Sequence, residues 1–128
     1  MAGKPVNLIV TVVLLLVLCA PASAHHGGAA YERNKPVTFK ATVTDYKFVN
    51  PHVQIYFDVA DDKGSAQHWG CESVNPGMLA KQGWTRHMMK PGDQVTIIGY
   101  PSKTGSNICL IDKLILADGH EFTGKLLN

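Results

Sequence analysis

From Pro36 onward the chain is written in short alternating runs. In "VTFKATVTDYKFV", Val37, Phe39, Ala41 and Val43 take one parity, and Thr38, Lys40, Thr42 and Thr44 take the other. A period of two in a stretch rich in Val and Thr predicts a strand with one face in a core. The pattern slips near Asp45, where Tyr46 and Phe48 become the large residues, so a bulge or strong bend is expected there. Asn50-Pro51 marks a turn. "HVQIYFDVA" then alternates cleanly, with Val53, Ile55, Phe57 and Val59 toward the core and His52, Gln54, Tyr56 and Asp58 opposite. "DDKG" predicts a hairpin loop, and "SAQHWGCES" a third strand with Trp69 and Cys71 on one face and His68 and Glu72 on the other.

The period changes at "VNPGMLAKQG". Asn75 suits a helix cap, Pro76 the first turn and Gly83 the end, so a helix of about two turns is expected. "WTRHMM" reads as a further turn, with Trp84 plugging the space between helix and strands. "KPGD" is a turn, 94–100 a fourth strand, "KTGSN" a loop and 107–117 a fifth strand. "DGHE" turns into a short C-terminal strand. The order predicts an all-β chain with one short helix, an OB-fold-like five-stranded barrel. A small β-sandwich is the alternative.

The first 24 residues carry a different signal. Lys4 supplies a positive start, 8–20 is an apolar run of 13 residues, and Pro21 precedes Ala22-Ser23-Ala24, which has the form of a signal-peptidase site. A helix of that length spans roughly 20 Å against a hydrocarbon core of about 30 Å, which argues against a membrane anchor. Leu16-Val17-Leu18 ahead of Cys19 departs from the small residues a lipidation site wants. The expected organisation is a signal peptide over 1–24 cut after Ala24, an N-terminal arm over 25–36, and an OB-like barrel over 37–128. The destination is the periplasm or the medium, with no stable membrane anchor after cleavage.

Export gives the cysteines a meaning. Cys71 and Cys109 remain after the cut, and in an OB barrel the third and fifth strands that carry them are neighbours. A disulfide is expected, worth roughly 4 kcal/mol for a loop of about 38 residues, with two buried free thiols as the alternative. No CxxC is present, so a thioredoxin-like role has no support.

The combination of "AHH" at the cut site, "KPVTFKATV", "NPHV", "NPGMLAKQGWTR", "KPGD" and a late "DG" resembles a family of small exported bacterial proteins known only as a domain of unknown function. The resemblance spans essentially the whole mature chain. It implies export and a small β-barrel, and it brings no activity with it. Members of that family often carry a hydroxyl and an aromatic residue after the two histidines, where this chain has Gly27-Gly28.

Charge narrows the classes. The chain has 12 Lys and Arg against 10 Asp and Glu. Loss of Lys4 leaves a mature net charge of +1, from which nucleic acid is excluded as a partner. No GxSxG, HExxH or P-loop occurs, and the carboxylates are scattered, so no catalytic residues and no enzyme activity are expected. Two candidate sites remain. Cleavage would leave His25 with a free α-amine and an imidazole able to chelate copper or zinc, with His26 and His52 completing the set. His52, Tyr56 and His68 share the polar face of the second and third strands, where a protein, peptide or small-molecule partner could bind. Tyr46, Phe48, Trp69 and Trp84 are expected either to extend that face as an aromatic platform or to fill the core. His87 with Met88 and Met89 is read as a core turn, and His120 as a solvated turn residue. The leading expectation is a non-enzymatic exported binding module using the face of strands two and three. The alternative is a periplasmic copper or zinc protein using the new N-terminus.

Overall fold

The computed structural model describes residues 27–124. Six strands form one sheet: β1 Val37–Lys47, β2 Gln54–Ala60, β3 Ala66–Glu72, β4 Gln94–Pro101, β5 Ile108–Ile115 and β6 Glu121–Thr123. Their order is β3-β2-β1-β4-β5-β6, and a further pairing of β3 with β5 closes the first five into a barrel. The β3–β5 seam is parallel and the other pairings are antiparallel. A single closed sheet, with the one short helix α1 (Pro76–Ala80) between β3 and β4, is the OB-fold arrangement and rules out the sandwich alternative.

The sequence explains the closure. β1 must pair β4 with its first half and β2 with its second, so it has to bend. The register slips between Val43 and Asp45, where the alternation along the chain also breaks, and the extra residue turns the strand through the barrel's corner. Beyond it Tyr46 and Phe48 pack against the core margin, and the Tyr46 hydroxyl donates to the Thr85 carbonyl at 3.0 Å. A second slip, between Ile98 and Gly99, leaves Asp112 as the extra residue of β5. The Gly124 amide donates to the Asp112 carbonyl at 2.8 Å, which ties the chain after β6 to that irregularity.

The inward parity fills the barrel with Val43, Ile55, Phe57, Ile97, Ile111 and Leu114, all essentially buried. Trp84 plugs one end at 2% exposure, its indole N–H donating to the Thr123 carbonyl at 2.8 Å and its ring meeting Phe122 edge-on. The helix is shorter than the two turns expected. Asn75 caps it by accepting from the Met78 amide at 3.0 Å, and after Ala80 the chain continues in turns at 81–83 and 86–87. Met89 is buried and Met88 half-buried, so this stretch is core, as its apolar spacing implied.

Cys71 and Cys109 are joined by a disulfide across the β3–β5 seam, with Cα atoms 4.4 Å apart. The seam itself is only three residue pairs long. Gly99 is required beneath it, since a Cβ there would stand 2.7 Å from the Cys109 sulfur.

The described part of the N-terminal arm is not free. Residues 28–30 form a single 3-10 turn, and Tyr31 makes a bridge to Ser102 just after β4. Glu32 donates its amide to the Pro101 carbonyl at 2.8 Å, and Lys103 donates to Ala30 at 3.0 Å. Tyr31 is 6% exposed. The signal-peptide segment, the cut after Ala24, and His25 and His26 lie outside the described residues.

Candidate functional site

The outward parity of β2 is Gln54, Tyr56 and Asp58, and opposite them on β3 stand Glu72, Gly70 and His68. Tyr56 sits at the centre of this face. Its direct cross-strand partner is Gly70, and a Cβ on Gly70 would lie 3.1 Å from Tyr56 Cε1. Glycine therefore lets the ring lie against the backbone of β3. The Tyr56 hydroxyl donates to Gln54 Oε1 at 3.2 Å, and the Lys47 ammonium stands 5.1 Å from the ring centroid. Asp45, 3.7 Å from that ammonium, balances its charge.

Tyr31 reaches the same face from the arm. Its hydroxyl donates to Glu72 Oε1 at 2.9 Å. Burial, then the hydrogen bond to Glu72 and the charge of that carboxylate, push the Tyr31 phenol up to about 12. Between Tyr31 and Tyr56 lies an indentation of about 120 Å³, floored by Gly70 and the disulfide and flanked by Ile108. Ile108 is 45% exposed.

The structure separates residues that the sequence had grouped. His68 is paired across the strands with Asp58, whose carboxylate its Nδ1 contacts. His52 lies two residues ahead of β2, at the end of that strand away from the Asp58–His68 pair. Its Nδ1 meets the Ser73 carbonyl at 3.0 Å. Shared parity does put both histidines on one face, but register keeps them at its two ends. Tyr56, between them, is the member of the trio placed to make a site.

Of the two readings of the other aromatics, core filling is the one that holds. Trp69 points inward, 4.6 Å from Phe39, and Trp84, Tyr46 and Phe48 serve the core and its margin. Tyr31 was missed, because an aperiodic polar segment gives no face to assign. The available signal was a lone aromatic between Ala30 and Glu32.

For metals, no group of three His, Cys, Asp or Glu side chains is assembled among the described residues. Of the proposed set, His25 and His26 lie outside the described residues; His120 contacts Asp118 at 3.0 Å in its turn. Hydrogen bonds from His120 hold the Asp118 carboxyl below the usual carboxylate range.

The model of a family of unknown function, DUF6152, matches residues 12–111. The chain belongs to that family. Its membership agrees with the motif resemblance and supplies no activity. Among curated proteins, none matches the chain. Among solved structures, the mitochondrial single-stranded DNA-binding protein Rim1 of S. cerevisiae is similar, at 7% identity and a TM-score of 0.49, over 65% of this chain and 93% of that chain. The exclusion of nucleic acid is withdrawn as a correction, because the charge balance it rested on does not bear it. Physically, a net charge near zero constrains the whole surface and says little about one face of it. The likeness is one of fold outline and transfers no ligand to this family member.

Proposed function

We propose that this chain is an exported, non-enzymatic binding module of the cell envelope, and that its ligand is held on the outer face of β2 and β3 around Tyr56. One observation carries the reading. An outward tyrosine lies on a glycine at the centre of a strand pair, beside an indentation of about 120 Å³. Rings spared for the core need no such glycine, and aromatic groups presented on a rigid strand are typical anchors for a partner. The chain's lack of nucleophile or metallohydrolase motifs favours binding over catalysis, and its apolar start and Ala-Ser-Ala sequence favour export. The test is retention from an envelope extract of the source cells on immobilised protein. Retained material should be lost with Tyr56→Ala and kept with Thr38→Ala, an exposed position on β1. Equal retention by both variants would overturn the assignment of the face.

A second reading rests on His25-His26 beside the proposed cut. The α-amine and imidazole of His25 would chelate Cu(II), and binding would weaken as pH falls through about 6 to 7 and protons compete. Cu(II) titration of protein starting at His25, against protein extended by Gly-Ser, tests it. Equal affinity in both would remove the amine from the site.

A further inference from the structure

We infer that the indentation between Tyr31 and Tyr56 receives a cationic side chain, a lysine or arginine of a polypeptide partner; this rests on the reading of the Tyr56 face given above.

Size is the first argument. A cavity for a whole small molecule runs to about 300–1,000 Å³, whereas this one is about 120 Å³, room for the head of one side chain. Charge is the second. The single ionisable carboxylate in its lining is Glu72, which accepts from the Tyr31 hydroxyl through Oε1. Among the described residues no lysine, arginine or histidine forms an ion pair with Glu72. The tyrosine hydroxyl holds the carboxylate in place without neutralising it.

The walls are the third argument. Tyr31 and Tyr56 line the same indentation as the carboxylate, and aromatic rings attract cations through their electron-rich faces. Lys47 already shows this chemistry on Tyr56, 5.1 Å from its centroid. Ile108 gives an apolar ledge at the rim, suited to the methylene stem of a long cationic side chain. Gly70 keeps the floor open, because a Cβ there would stand 3.1 Å from Tyr56 Cε1 and press the ring outward.

The experiment uses ¹⁵N-labelled protein expressed from the whole sequence. Nα-acetyl-lysine methylamide is titrated against Nα-acetyl-norleucine methylamide, which keeps the stem and lacks the ammonium. The lysine probe should shift the Gly70, Glu72 and Ile108 amides saturably, with norleucine at least about tenfold weaker. Glu72→Gln retains an acceptor for Tyr31 and should weaken the lysine probe at least about fivefold. Should that variant melt earlier than the wild type, salt provides the second measurement. Raising it from about 50 to about 500 mM must then weaken the lysine probe on the wild type. Equal response to both probes, full affinity in a stable Glu72→Gln protein, or salt-independent binding would overturn the inference. So would an oligothymidylate that shifts these amides while the lysine probe does not. In that last case, or if retention still depends on Tyr56, the face stands and only the cation reading fails.

Discussion

Replacing Cys71 and Cys109 together by alanine should remove most of the barrel's margin of stability. The disulfide joins residues 38 apart in sequence across the one parallel seam of the barrel. Closing a loop of that length lowers the entropy of the unfolded chain by an amount worth roughly 4 kcal/mol. Both residues belong to the core at 1% and 0% exposure, so losing two sulfurs from packed sites adds about 1–3 kcal/mol. The sum, about 5–7 kcal/mol, meets a total stability of about 5–15 kcal/mol for a domain. The seam has three residue pairs to hold it without the bond. At about 4–8 °C per kcal/mol for a domain of this size, the melting temperature should fall by more than about 15 °C. Thermal melts followed by far-ultraviolet circular dichroism read this directly. Wild-type protein under reductant should approach the same value. Hydrogen exchange should show the Gly70 amide, bonded to the Asn107 carbonyl at 3.1 Å, losing protection early. A fall of less than about 5 °C would refute the argument and mean that packing alone keeps the barrel shut.

Other positions give independent checks. Trp84→Ala should cost about 3–5 kcal/mol in urea unfolding, since it empties the barrel's end and leaves the Thr123 carbonyl unpaired; a loss under about 1 kcal/mol would contradict its role as a plug. Tyr31 favours its neutral form when folded, so its contribution is present below about pH 10 and lost as pH rises toward about 12. Urea midpoints at pH 9 and 11.5 should diverge in the wild type and much less in Tyr31→Phe. Asn75→Ala should cost about 1 kcal/mol through loss of its bond to the Met78 amide, read as a small shift in midpoint with unchanged slope.

How much of this was legible along the chain depended on whether periodicity reached it. The alternation of Val53, Ile55, Phe57 and Val59 named the inner face of β2, though Val59 lies at the core's edge, only half-buried. The slip at Asp45 announced the first bulge because polar and apolar residues exchange parity there. The second, at Asp112, escaped notice because β5 is apolar on both parities, with Leu110 and Lys113 half-buried beside Ile111 and Leu114. Strand adjacency followed from element order alone, which is why Cys71 and Cys109 could be paired. Register did not, because a hairpin's turn sets it by single residues. Hence His52 and His68 shared a face on paper and stand at opposite ends of it in the fold. The site suffered most. Its glycine floor depends on which residue opposes Tyr56, and its second tyrosine comes from a segment with no period at all.

The central claim is that the face around Tyr56 is where this protein meets its ligand. A photo-crosslinking amino acid placed at position 56 in the source cells tests it most directly, with the same group at Thr38 as the reference position. The account predicts a discrete adduct from position 56 that disappears when Gly70→Val fills the floor beside it, and no such adduct from position 38. Adducts of equal yield and pattern from both positions, or one from position 38 alone, would contradict it.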